Sequence, residues 1–155
     1  GPGAGRPSKL YRRTKAEVAV SLPERRYDLA GSILAVAIET AEGGAAPLGE
    51  AVARAAADAG RSAGAGSAAS GDDVERLTEA LTELGYEPRS EGADVILANC
   101  PFDALVHGHT ELVCGLNRSF VSGVIDGLHC EGLEARLEPE PGLCCVKAGR
   151  PASGT

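Results

Sequence analysis

The sequence predicts an α+β fold in which helices cover an antiparallel sheet built from hairpins. Apolar residues recur at helical spacing in several long segments, whereas short alternating or β-branched segments occur in pairs joined by turn residues. The predicted element order is β-α-α-α-β-β-α-α-β-β. The 155 residues suffice for one domain, and its core must be aliphatic because aromatic residues make up only 3% of the chain.

The first predicted elements are a strand and two helices. Residues 17–21 include alternating valines and predict a strand. Residues 21–24 have capping-box spacing with a proline in the first turn, so a helix is expected to begin there and to stop at the glycines 43–44. A second, alanine-rich helix is expected over 48–59, where its narrow apolar face should pack closely against a neighbour.

The middle of the chain predicts a loop followed by a helix. Residues 60–71 consist of Gly, Ala and Ser with one charged residue, a composition typical of a surface loop. The helix is expected over 73–84, with Ser70 or Asp72 as its cap. Gly85 should stop this helix.

A hairpin is predicted next, with strands over 86–89 and 93–99 around a Ser-Glu-Gly turn. Asn99 is expected to cap a short helix that starts at Cys100. The His-Gly-His-Thr sequence at 107–110 should then interrupt the helical structure.

The last predicted elements are a long helix over about 110–128 and a second hairpin. The hairpin strands are expected over 133–138 and 143–147, joined by the turn at 139–142. A disordered tail is expected from Gly149. The residues of the long helix expected to face inward are Leu112, Val113, Leu116, Phe120, Val124 and Leu128.

The cysteines and histidines are concentrated in one part of the chain. All five cysteines and all three histidines lie within residues 99–145. Thiolates and imidazoles are the ligands of zinc and of iron–sulfur clusters, so this segregation indicates a bound metal or cluster. The alternative is that the cysteines are small buried hydrophobic residues. No CxxC or CxxH spacing is present, so a standard zinc finger is not indicated.

The break between the two later helices decides whether the cysteines can meet. In one continuous helix Cys100 and Cys114 would lie about 21 Å apart, whereas a break allows the second helix to fold back toward the first. The predicted metal ligands are therefore Cys100 and Cys114, with His109 and one of Cys144 and Cys145. The last two alternate across a strand, and the sequence does not choose between them.

Cys130 follows the far end of the long helix, about 24 Å from Cys114 by the helical rise. It is expected to be a half-exposed free thiol outside the site.

The charge and hydropathy of the chain limit the kinds of partner it can have. The net charge of −7 divides into +5 on residues 1–15 and −12 on the remainder, so only the basic arm is expected to meet a polyanion. No apolar run of about 18 residues and no signal peptide is present, so a cytoplasmic protein without a membrane partner is expected. In that compartment five cysteines favour thiol or metal chemistry over disulfides.

Several of these residues resemble a known family. Gly-Arg-Pro-Ser-Lys-Leu-Tyr at 5–11 resembles the wing hairpin of bacterial winged-helix repressors. Asn-Cys-Pro-Phe at 99–102, His-x4-Cys at 109–114 and Pro-Gly-Leu-Cys-Cys-Val at 141–146 resemble the effector half of ArsR-like winged-helix regulators, and among these the repressors of the Suf iron–sulfur assembly genes. The half also looks like 4-vinyl-reductase-type domains, small α+β modules that bind ligands or metals.

The resemblance implies a domain organisation. Residues 1–16 would be the end of a winged-helix DNA-binding domain, 17–148 the effector and dimerisation domain, and 149–155 a disordered tail. The residues implied to contact DNA are Arg6, Lys9 and Arg12.

The resemblance also implies a function. The chain would be the homodimeric sensor half of a repressor, and its cysteines would hold an iron–sulfur cluster, or zinc, to modulate DNA binding. The cysteine order is Cys100-x13-Cys114-x15-Cys130-x13-Cys144. This regular spacing resembles that of Suf-type members, although the intervals in this chain are longer.

Two other functions are compatible with the same residues. A small-molecule sensor of this architecture would have structural thiols and a pocket beneath its helices. A thiol enzyme would use Cys100 as its nucleophile, with a pKa lowered at a helix N-terminus. No catalytic set of an acidic residue, a histidine and a cysteine can be recognised in the sequence, so we expect a protein that is not an enzyme.

Overall fold

A computed structural model describes residues 25–151. The five helices of this part of the chain are α1 (Tyr27–Glu42), α2 (Leu48–Ala65), α3 (Asp73–Glu83), α4 (Asp103–Val106) and α5 (Thr110–Gly127). Its four strands are β1 (Pro88–Glu91), β2 (Asp94–Leu97), β3 (Glu134–Leu137) and β4 (Val146–Gly149). The predicted α+β class is confirmed, whereas the strand predicted over 17–21 lies outside the described residues.

The strands form one antiparallel sheet in the order β1-β2-β4-β3. Two hairpins, β1–β2 and β3–β4, are joined where β2 pairs with β4. Val95 on β2 and Ala135 on β3 both lie opposite Ala148 of β4. Helix α5 packs on β3 and β4, and Val95, Val146 and Ala148 are fully buried.

The predicted loop over 60–71 is wrong in its first half, because α2 continues through these residues to Ala65. Gly60 and Gly64 lie on the face of α2 that packs against α5. A Cβ at Gly60 would overlap the backbone of Phe120, and one at Gly123 would overlap the backbone of Ala57. The glycines are therefore required by the close approach of two helices, which their linker-like composition conceals.

The start of α1 also differs from the prediction. Arg25 and Arg26 are not helical, so the helix does not extend back to the expected start at 21–24. The backbone N–H of Arg26 donates instead to the carbonyl oxygen of Pro101 at 3.1 Å. This bond ties the residue to a loop and gives it a non-helical conformation. The predicted stop at 43–44 is confirmed, with Gly44 at φ +76°.

The ends of α3 follow the sequence signals. Asp72 and Glu75 form a reciprocal capping box, and Gly85 takes a left-handed conformation at φ +94° beyond the last turn.

The predicted cap at Asn99 is wrong, because α4 begins only at Asp103. The side chain of Asn99 is used by the preceding hairpin. Its Oδ1 accepts from the N–H of Glu87 at 2.6 Å, and its Nδ2 donates to the carbonyl oxygen of Gly85 at 3.0 Å. The predicted interruption at 107–110 is confirmed for its first three residues, and Thr110 is already the first residue of α5.

The C-terminal part departs from prediction in two ways. The last strand begins at Val146 and includes Gly149, which pairs with both Asp94 and Glu134, so the disordered tail does not begin there.

Leu112, expected to face inward, is 46% exposed. It lies on the first turn of α5, where it lines a surface pocket together with residues from the start of α2. The other five residues predicted to face inward are buried.

Candidate thiol site

Four of the five cysteines line one cavity of about 450 Å³. Cys100 lies in the loop between β2 and α4, Cys114 on the second turn of α5, and Cys144 and Cys145 in the segment before β4. The break at 107–109 lets α5 fold back so that Cys114 approaches Cys100. The structure therefore brings Cys100 and Cys114 together as predicted. Both Cys144 and Cys145 line the cavity, where only one of them was expected, because the pair precedes β4 and does not lie in a strand.

The main chain positions the two adjacent cysteines. The N–H of Cys144 donates to the carbonyl oxygen of Leu97 at 2.9 Å, and the carbonyl oxygen of Cys145 accepts from the N–H of Glu138 at 2.8 Å. These bonds join the segment to the end of β2 on one side and to the residue after β3 on the other. Cys144 is buried, and Cys145 is half-buried at the cavity wall.

A buried amide lies behind the thiols. Asn117 is fully buried, and its Nδ2 lies 3.2 Å from Sγ of Cys144 and 3.8 Å from Sγ of Cys100. Its Oδ1 accepts from the hydroxyl of Tyr86 at 2.6 Å. Asn117 lies three residues after Cys114 and therefore shares its side of the helix. Neither Asn117 nor Tyr86 was among the residues predicted for the site, although an amide within the apolar stripe of a helix is itself a signal.

The thiols change one another's pKa values. The neighbouring Cys100 thiol is the largest cause that lowers the pKa of Cys144 below its ordinary value, followed by the Cys145 thiol, and the Asn117 amide adds a smaller effect. The pKa values of Cys100 and Cys145 are raised, first by Cys144 and then by burial. The lowered pKa of Cys144 therefore belongs to the cluster as a whole, since the thiols of Cys100 and Cys145 both act on it.

Tyr86 keeps its proton in this environment. Burial is the main cause that raises the pKa of its hydroxyl, with the nearby thiols adding to the effect. A protonated Tyr86 can donate only to Asn117 Oδ1, and this fixes the amide with its Nδ2 toward the sulfurs.

The donor chemistry suits a soft metal or an iron–sulfur cluster, since thiolates are the usual ligands of both. Within residues 25–151, however, no group of three or more His, Cys, Asp or Glu side chains is arranged to hold a metal ion as it stands. The four cysteines line the cavity without forming such a group.

His109 is not among the residues that line the cavity. This histidine is exposed at the N-cap of α5, and the neighbouring Thr110 and Glu111 line the cavity instead. Its role as a fourth ligand stays a prediction. The DNA contacts predicted at Arg6, Lys9 and Arg12 lie outside the described residues.

Cys130 is separate from the site, but it is not half-exposed as predicted. The residue is fully buried beyond the C-terminal end of α5, where its Sγ lies 3.6 Å from the carbonyl oxygen of Asp73. Packing of the start of α3 against this end of α5 covers the thiol, and the sequence pattern does not reveal that contact.

Cys100 lacks the features expected of an activated nucleophile. It does not lie at a helix N-terminus, because α4 begins three residues later. Its pKa is raised rather than lowered, chiefly by Cys144.

The remaining walls of the cavity are largely apolar. They include Val106, Leu137, Pro139 and Leu143. The cavity could therefore also admit a small apolar molecule beside the thiols.

Comparisons with known proteins give no relative. No family model, curated protein or solved structure matches this chain. None of the helices in residues 25–151 is long and apolar enough to cross a membrane.

Proposed function

We propose that this chain is the sensor and dimerisation part of a bacterial winged-helix transcriptional regulator. In this proposal Cys100, Cys114, Cys144 and Cys145 bind an iron–sulfur cluster or a thiophilic metal such as zinc. The observation that carries the proposal is the convergence of four free thiols from three separate chain segments on one cavity. Thiols that served only as hydrophobic filling would have no reason to collect in this way.

The charge distribution supports the division of roles. The described domain belongs to the acidic remainder of the chain, whereas the basic arm in residues 1–15 carries the residues that would meet DNA phosphates. Ligand binding at the thiols would then change how the DNA-binding part is positioned for contact with DNA. We place the protein in the cytoplasm, where thiols stay reduced, and we propose that it acts as a homodimer.

The alternative is a small-molecule sensor of the same architecture. It is favoured by the apolar lining of the cavity, in which Leu137 and Leu143 lie beside the sulfurs. In that case the thiols would contribute to the cavity wall without binding a metal.

Metal and acid-labile sulfide analysis separates these proposals. The chain is purified without oxygen in wild-type form and as Cys100→Ser, Cys114→Ser and Cys130→Ser. We expect bound iron with sulfide, or zinc, in the wild type and in Cys130→Ser, and a loss of at least half in the other two variants. A folded wild-type chain without metal would leave the small-molecule sensor as the better account.

A further inference from the structure

The two residues directly before α1 are bonded to the loop that carries Cys100. Nη1 of Arg25 donates to the carbonyl oxygen of Cys100 at 3.3 Å. The backbone N–H of Arg26 donates to the carbonyl oxygen of the next loop residue, Pro101, at 3.1 Å. The acceptors are thus the main-chain carbonyl of the cysteine itself and that of the residue after it.

A third bond extends this contact to the start of α4. The N–H of Ala104 donates to the hydroxyl of Tyr27 at 3.3 Å. Together, the bonds from Arg25 and Arg26 and the bond to Tyr27 define what we call the α1–loop contact. Three consecutive residues take part, and Tyr27 is also the first residue of α1.

The other side of the loop is held by the β1–β2 hairpin. The Asn99 side chain bonds to Gly85 and Glu87, which fixes the residue directly before Cys100. The loop is therefore held from two directions while its cysteine lines the cavity. A displacement of the Cys100 main chain would therefore disturb these bonds.

We propose that Arg25 and Tyr27 are positioning residues for Cys100, and that the α1–loop contact links the thiol site to the chain before residue 25. A ligand that draws in the Cys100 sulfur would move the carbonyls to which Arg25 and Arg26 donate. The link is reciprocal, so disruption of the α1–loop contact must also change the behaviour of Cys100. Its role in signalling rests on the proposed function, whereas the contact itself needs no bound metal.

Alkylation of the reduced, metal-free chain tests the positioning role. Brief exposure to iodoacetamide is followed by mass spectrometry of the peptides that contain Cys100 and Cys130. In the double variant Arg25→Ala/Tyr27→Phe we expect Cys100 to react about tenfold faster, because the loop opens more often. The rate at Cys130 should not change. Arg54→Ala, which removes an exposed arginine of α2, is the matched control and should alter neither rate.

Two outcomes would overturn the positioning role. Equal acceleration at Cys100 and Cys130 would mean that the variant only destabilises the fold. Unchanged reaction at both cysteines would mean that the α1–loop contact does not restrain the loop.

Hydrogen exchange tests the link in the opposite direction. In Asn99→Ala the loop loses its bonds to the β1–β2 hairpin, so we expect the Arg26 amide, which donates to Pro101, to exchange faster than in Cys100→Ser, which keeps those bonds. Equal exchange in the two variants would contradict the link. Neither experiment requires metal. A chain that gives the expected result in both experiments but binds no metal would therefore contradict the proposed function alone.

Discussion

The Nδ2 atom of Asn117 lies 3.2 Å from the Sγ atom of Cys144, inside a helix stripe that is otherwise apolar. This contact gives the thiol site a fixed hydrogen-bond donor from the core of the protein. It depends on Tyr86, because the tyrosine hydroxyl occupies the other end of the same amide.

Tyr86→Phe should therefore destabilise the fold. The variant leaves the buried Oδ1 of Asn117 without its donor, and we expect a loss of about 1–3 kcal/mol in the free energy of unfolding. Thr82→Val is the matched control, because this exposed hydroxyl bonds only to the Thr78 carbonyl of its own helix, and it should cost less than about 0.5 kcal/mol. Urea denaturation measures both, and equal losses would argue against a special role for the buried pair.

Replacement of both partners should cost less than the two single changes suggest. In Tyr86→Phe/Asn117→Leu no polar atom of the pair is left buried without a partner, so the losses should not add. A double-mutant cycle from the same denaturation curves measures the difference. Strict additivity would show that the two side chains do not interact.

The change in stability when a glycine of α5 is replaced by alanine should depend on how closely the neighbouring helix approaches that glycine. Gly123→Ala would force a Cβ against the backbone of Ala57, so we expect a loss of about 1–3 kcal/mol or more. Gly115→Ala on the same helix meets no atom within 4 Å and should be neutral or stabilise by about 0.4–1 kcal/mol. Thermal unfolding distinguishes the two, and similar melting temperatures would contradict the close helix packing.

The basic arm should control affinity for DNA. Alanine at Arg6, Lys9 and Arg12 should weaken binding to duplex DNA and reduce the slope of log affinity against log salt by about 0.9 for each phosphate that is no longer neutralised. Fluorescence anisotropy over a salt series measures this slope. Glu50→Gln and Glu39→Gln, which remove acidic charges from the helices, should leave the slope unchanged. An unchanged slope in the arm variants would exclude the arm from DNA binding.

The sequence was sufficient for the fold class because its signals are local. Asp72 with Glu75 and Gly85 each specify an end of α3 through neighbouring atoms, and the structure confirms them. Residues 60–65 were mistaken for a loop because their helix depends on packing against α5, which local composition does not encode.

The same distinction applies to the site. The approach of Cys114 to Cys100 followed from the helix break, which is visible in the sequence. The entry of both Cys144 and Cys145 was not predicted, because the sequence pattern placed them in a strand that begins only at Val146. Asn117, Tyr86 and Arg25 were missed because their relation to the thiols arises only from tertiary packing. The burial of Cys130 is a further case, since a carbonyl of α3 covers a thiol 57 residues away.

X-ray absorption at the metal edge tests the central claim most directly, on the full chain purified without oxygen. We predict a stoichiometric metal whose first shell is dominated by sulfur at about 2.3 Å, with loss of that shell in Cys100→Ser and its retention in Cys130→Ser. A first shell of oxygen and nitrogen alone, or a folded chain without metal, would contradict a metal or cluster site formed by these cysteines.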